Sequence, residues 1–251
     1  MSHTFSLRLI AAVLTSAALS TTLANAGTTE HFNKLAFNLP PAAELSYTIK
    51  AKQSGIPLGG AATVKWEVSD KKYSVVTETR AMLVGKILDA SSQGHISDYG
   101  LAPEKFVEKR FRKPETVTSF EHDRKTLRFT ASDETYVLKG GEQDRTSATW
   151  QLIAYARAAG DKFKPGSEWK MFVAGRRDAE PWSFKVLASE KTSTPLGEFA
   201  TIHISKAPPP DSKDQALDIW LAPALDWYPV RLKFSDADGD YVDQIIESVK
   251  K

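Results

Sequence analysis

Apolar and polar side chains alternate along this chain with a period of two, run after run, and turn-forming residues separate the runs. Val64, Trp66 and Val68 alternate with Thr63, Lys65, Glu67 and Ser69, a pattern that puts one face of a strand in a core and the other in water. Leu127 and Phe129 repeat it against Thr126, Arg128 and Thr130. So do Trp169, Met171 and Val173; Trp182, Phe184 and Val186; and Val230, Leu232 and Phe234. Breaks fall at Ser69-Asp70-Lys71, Lys113-Pro114, Gly140-Gly141, Pro165-Gly166, Pro195-Leu196-Gly197, Pro208 to Pro210 and Asp238-Gly239. Strands joined by such short turns pair antiparallel, because a parallel pair needs a crossover of about a dozen residues or more. No strand-helix-strand rhythm is present, so the chain is expected to be all-β and mainly antiparallel.

One stretch departs from the pattern. Asp144 is placed to cap a helix that continues through Trp150 to Ala159, and Gly160 is placed to end it, giving a helix near 144–160. Ala148, Leu152, Tyr155, Ala156 and Ala159 form one helical stripe, yet Trp150, Ile153 and Ala154 lie outside it and are apolar too. Such a helix needs burial on more than one side. A highly curved sheet or open β-barrel with the helix packed in its concave side provides that, the alternative being a helix laid on the edge of a sandwich.

The amino-terminal residues predict an exported protein. Arg8 precedes an apolar run from Leu9 to Leu19, and Ala24-Asn25-Ala26 supplies the small residues required for cleavage after Ala26. The run is shorter than the roughly 20 residues that cross a bilayer as a helix, so 1–26 reads as a cleaved signal peptide rather than a membrane anchor. Residues 27–41 then read as a tail, 42–251 as a single β-rich domain, and the periplasm as its compartment. The mature chain is expected to be soluble, with no transmembrane segment and, lacking cysteine, no amino-terminal lipid.

Composition removes several function classes. With 33 Lys plus Arg against 31 Asp plus Glu, a net charge of +2 lacks the basic excess of a nucleic-acid binder. Absence of cysteine excludes thiol nucleophiles and Cys-based zinc sites. His31, His95, His122 and His203 have no metal-ligand spacing; His122 reads as a turn residue and His203 as part of a solvated strand face. Ser91 to Asp98 holds the residue types of a triad without the Gly-x-Ser-x-Gly elbow. Asp236, Asp238, Asp240 and Glu247 fit positions of a calcium loop, but Tyr241 stands where the sharp turn needs Gly, so a hairpin turn is expected. No catalytic residue, metal site or cofactor is predicted.

What remains is binding. Six Trp, 7 Tyr and 12 Phe in a chain whose helix fills a hollow suggest an apolar ligand space, with Trp66, Trp150, Leu152, Ile153, Tyr155 and Trp220 as candidate lining residues. Lys109, Arg110, Arg112 and Arg128 form a basic group able to meet anionic headgroups or glycans, although alternation allows only about half of such a group to share a face. The expected function is a non-enzymatic periplasmic envelope protein that binds a lipid or another hydrophobic or amphipathic partner. The alternative is a scaffold or adaptor that docks another envelope protein by adding a strand at an open sheet edge, with no ligand cavity.

Several segments taken together resemble a family. They are Gly59-Gly60-Ala61 leading to Trp66, Ser91-Ser92-Gln93-Gly94, Tyr99-Gly100-Leu101-Ala102-Pro103 with Lys109-Arg110, Gln143-Asp144-Arg145, Trp220-Leu221-Ala222-Pro223, and Tyr228-Pro229-Val230-Arg231. In order and spacing the chain from Leu39 to Val249 resembles the exported proteobacterial family named domain of unknown function 3108. That resemblance implies a periplasmic β-rich domain and brings no catalytic residues. The carboxy-terminal strands and the Asp238-Gly239 turn are more weakly similar to curved-sheet lipoprotein carriers that hold acyl chains between sheet and helix. Shape of that kind does not by itself establish function.

Overall fold

A computed structural model describes residues 34–207 and 215–251. The segment expected to be a signal peptide, its expected cleavage after Ala26, the start of the tail and the Pro208 to Pro210 break lie outside the described residues. In chain order the strands are β1 (Ala43–Gln53), β2 (Ile56–Ser69), β3 (Lys72–Ala81), β4 (Gly85–Ser97), β5 (Gly100–Arg110), β6 (Thr116–Glu121), β7 (Thr126–Phe129) and β8 (Thr135–Val137). They continue as β9 (Gln143–Asp144), β10 (Glu168–Ala174), β11 (Ala179–Thr194), β12 (Gly197–Lys206), β13 (Ala216–Leu221), β14 (Pro229–Ser235) and β15 (Tyr241–Lys250). The helix α1 (Ser147–Ala159) lies between β9 and β10.

All 15 strands belong to one sheet, which runs from β8 back to β1, steps to β15, and runs back to β9. Every neighbouring pair is antiparallel except β9 with β10. The edge strands β8 and β9 do not pair with each other, so the sheet is curved and unclosed, with one helix against it. Its seam is bridged by side chains: Thr118 Oγ1 donates to the Gly175 carbonyl at 2.8 Å, and Phe129, Tyr136 and Phe172 pack edge to face.

Register carries the alternation across the sheet. Leu45, Tyr47 and Ile49 of β1 face Val64, Ala62 and Gly60 of β2, which in turn face Thr77, Thr79 and Ala81 of β3. Neighbours directly opposite point to the same side, so these residues share the concave face. Successive antiparallel turns fall at alternate ends of the strands. The turns after β1, β3, β5, β10 and β14 therefore gather at one end, while α1 occupies the concave space toward the other.

The helix starts at Ser147, three residues after Asp144, which ends β9; the Asp144 Oδ1 still supports that start by accepting the Thr146 and Ser147 backbone N–H groups, each at 2.8 Å. Two of the donors that a helix start leaves without intrahelical partners are thereby satisfied. At the other end Gly160, at φ +53°, donates its N–H to the Ala156 carbonyl. Trp150 and residues 151–156 are all buried, so the all-round apolar character has a structural cause. The Trp150 ring stacks on Trp66 with centroids 4.5 Å apart and meets Tyr228 edge to face at 6.2 Å. Burying side chains of this size is worth about 1.5–3 kcal/mol each. The approach to β1 locks onto the same cluster: Asn38 N–H donates to Ala154 O, Trp66 Nε1 to Pro40 O, and Tyr228 Oη to Pro41 O.

Candidate functional site

At the end opposite α1 the concave face is lined by small residues, and a hollow remains. It has a volume of about 210 Å³, and its wall includes Ile49, Ala51, Leu58, Gly60, Thr79 and Val242. Gly60 is required by close approach, since a Cβ there would stand 2.3 Å from the Arg80 carbonyl oxygen. The level that pairs Ile49, Gly60 and Ala81 therefore cannot be filled from β2. Around the mouth, apolar side chains face water. Met82 and Leu83, in the β3–β4 turn, are 81% and 96% exposed, and Ile56, Leu58 and Val84 join them. Single exposed apolar residues are ordinary, but a run of three on a hairpin tip beside two more and an apolar hollow is the pattern of a binding surface. The uninterrupted Met82-Leu83-Val84 run is visible in the sequence, but it has no period of two and so falls outside any alternation pattern.

The candidate lining residues lie elsewhere. Trp66, Trp150, Leu152, Ile153 and Tyr155 are brought together in one buried cluster, where their rings and branches fill the space under α1. Trp220 is on the opposite face of the sheet from its neighbour Ile219: it stacks on His203 with centroids 4.3 Å apart and lies 4.6 Å from the Arg231 guanidinium. None of the six belongs to the hollow's wall. His203 is itself half-covered in that stack and approaches Asp218 Oδ1 through Nε2 at 2.9 Å, a more ordered position than a solvated face implies.

The basic group divides in the same way. Lys109 is exposed on the outer side of β5, Arg112 occupies the β5–β6 turn at φ +55°, and Arg128 is exposed on β7, 3.6 Å from Glu121. Only Arg110 turns inward. It shares a face with Glu108, whose side chain is 8% exposed, and its Nε reaches Glu108 Oε1 at 2.5 Å. The Arg176 Nε approaches the same oxygen at 3.3 Å from the β10–β11 turn across the seam. Glu108 thus sits on the concave side, while the next residue, Lys109, faces outward.

Two polar clusters test for chemistry. Asp144, fully buried, accepts from Ser92 Oγ, and Ser92 meets Tyr73 Oη at 3.0 Å. Burial pushes the Asp144 carboxyl up to about 6, against hydrogen bonds from Ser92, Ser147 and Thr146 that favour its charged form. Burial first, then the Asp144 charge, raises Tyr73 far above its usual range. Ser92 is buried beneath the start of the helix, and the network ties α1 to β4. His95 and His122 meet edge to face at 5.1 Å, with His95 Nδ1 3.1 Å from Glu104, at the rim of an open surface depression. The Asp236–Asp240 segment is a hairpin turn: Asp236 Oδ1 accepts the N–H groups of Asp238 and Asp240, and the Asp240 carboxylate accepts from Ser54 N at 2.8 Å. No cluster with metal-ligating composition occurs among the described residues.

Comparison with known proteins agrees with the fold. A β-barrel-like protein of domain of unknown function DUF1849 from Brucella abortus is 14% identical, with 86% of this chain and 99% of that chain aligned at a TM-score of 0.58. An exported protein with a YmcC-like fold from Bacteroides fragilis is 12% identical over 86% of this chain and all of the other, at a TM-score of only 0.40. At 14% identity the likeness to the Brucella protein concerns fold alone. No curated protein sequence matches. The family model described as protein of unknown function (DUF3108) covers residues 46–245, from the first strand to the last. That span takes in both the helix-filled end and the hollow, and the chain belongs to this family, DUF3108.

Proposed function

We propose that this protein is an exported, non-enzymatic envelope protein that binds an amphiphile, with the apolar part of the ligand entering the open end of the curved sheet. One observation carries the reading: an apolar hollow among Ile49, Ala51, Leu58 and Val242 opens beside exposed Ile56, Met82, Leu83 and Val84. Its volume of about 210 Å³ is below the roughly 300–1,000 Å³ of sites that enclose drug-sized ligands. It therefore suits one end of an alkyl chain, with the remainder covered by the hairpin tips. Strand addition is less favoured, because the exposed edge strand β8 offers only three residues, Thr135–Val137.

The test uses a fluorescent twelve-carbon acyl probe and the variant Ala51→Leu, which fills the hollow from β1. Wild type is expected to bind saturably, and the variant to lose about tenfold in affinity or more, equivalent to about 1.4 kcal/mol, while unfolding at a similar denaturant concentration. Absence of saturable binding in wild type, together with ligand-free native mass spectra of protein taken from the periplasm, overturns the reading and leaves the adaptor in its place.

A further inference from the structure

We infer that the ligand's polar end is anionic, a phosphate or carboxylate headgroup, held by Arg110 and Arg176 beside the apolar hollow. This inference rests on the binding function proposed above and specifies its ligand class.

Charge and position support it independently. Glu108 is the carboxylate ion-paired with Arg110 and Arg176 among the described residues, so two guanidinium groups converge on a single negative charge. Two further arginines stand close by. Arg145 lies along the Gly175 backbone, its Nε and Nη2 2.9 Å from where a Cβ on that glycine would be, and Arg177 follows Arg176 in the same turn. No ion pair of Arg145 or Arg177 with a carboxylate occurs among the described residues; exposed Asp178 completes the turn. Burial, then the nearby charge of Arg110, lowers the Arg176 pKa, and Arg145 and Arg177 add to that repulsion while Glu108 opposes it. Excess like charge held in a partly desolvated cluster is costly unless an anion shares it. Guanidinium groups also match the fork geometry of phosphate and carboxylate oxygens.

The cluster faces the same concavity as the hollow. Thr79, in the wall of the hollow, pairs with Leu88 of β4, and Leu88 pairs with Arg110 of β5. Two strand spacings separate them, about 10 Å. Gly60, on β2, is three spacings from Arg110, roughly 14 Å, so a ligand with its chain end between Ala51 and Gly60 reaches the guanidinium groups with most of a dodecyl chain extended between them, without leaving the concave side. The outward positions of Lys109 and Arg128 give them no such access.

The experiment compares dodecyl phosphate, dodecanol and inorganic phosphate by calorimetric titration of the full mature protein. Dodecyl phosphate is expected to bind at least tenfold more tightly than dodecanol, and Arg110→Gln with Arg176→Gln to abolish that preference while dodecanol affinity is retained. A second variant guards against misfolding of the first: Glu108→Gln removes the competing carboxylate and is expected to tighten dodecyl phosphate binding severalfold. Equal affinity for the two amphiphiles in wild type, or unchanged phosphate preference in both variants, overturns the anionic headgroup and leaves the apolar hollow standing. Inorganic phosphate binding as tightly as dodecyl phosphate overturns the amphiphile assignment in favour of a free-anion site. If neither amphiphile binds, the function proposed above fails, and this inference with it.

Discussion

The two ends of the concave face are built from the same strands and differ in side-chain size. On β2, Trp66 and Gly60 point to the same side, yet Trp66 is completely buried against Trp150 whereas Gly60 borders a hollow. On β1, the Leu45 and Tyr47 levels are sealed, while Ala51 near the hairpin turn leaves space. One helix of 13 residues fills only part of a 15-stranded curve, so the remainder must be filled by large side chains or left open. Here it is left open, and the turns around it carry apolar tips. Aromatic residues mark where this protein is solid; small residues mark where it is hollow.

The largest expected effect tests the solid end. Trp150→Ala removes a side chain stacked on Trp66 and touching Tyr228, and truncations of this kind cost about 3–5 kcal/mol. Denaturant unfolding should show that loss. In protein kept folded, affinity for the acyl probe should change little, because Trp150 is not in the wall of the hollow. A large change in affinity with little loss of stability would instead place the ligand space at the helix, among Trp66, Trp150, Leu152, Ile153 and Tyr155.

The buried carboxylate beside that cluster predicts a pH effect of somewhat smaller size. Asp144 has an ordinary value of 3.8 and is raised by burial to about 6 in the folded protein. Between those pH values the folded state keeps a proton that the unfolded state has released. The group's favourable contribution is therefore complete below the ordinary value, declines as pH rises, and is gone above about 6. The whole excursion is worth about 3 kcal/mol. Urea unfolding of wild type and Asp144→Asn across this range should show the difference in stability falling for wild type as pH rises. Asp98, Asp226 and Glu78 have lowered values and act in the opposite sense, but they are common to both proteins and cancel. A pH-independent difference would show that Asp144 is not desolvated as its burial implies.

Much of this architecture is legible from alternation alone. The strand runs around Trp66, Phe129, Phe184 and Leu232 occur where the period of two places them, and the helix ends at Gly160 as its pattern names, although it starts at Ser147, three residues after Asp144. Three things escaped, each for a physical reason. Trp220 lies between apolar Ile219 and Leu221, so a period-two pattern cannot say which way it points. The inward place of Glu108 leaves no mark in the sequence, because its partner Arg176 is distant along the chain and meets it only when the seam is formed. The hollow is made by what Gly60 and Ala51 lack, and missing side chains leave no periodic mark.

The smallest effect on stability is expected at the open end. Leu83 is 96% exposed, so Leu83→Ser gives up almost no buried area and should leave the unfolding midpoint within the range of ordinary surface changes, about 0.5 kcal/mol. The same argument applies to Met82, which is 81% exposed. If these tips cover a bound alkyl chain, the area they lack in the free protein is acquired on binding, and the cost of Leu83→Ser appears there: acyl-probe affinity should fall severalfold while stability stays level. A fall in stability without any change in affinity would mean that the β3–β4 tip packs into the fold in solution. In that event the contrast between a filled and an open end would no longer hold.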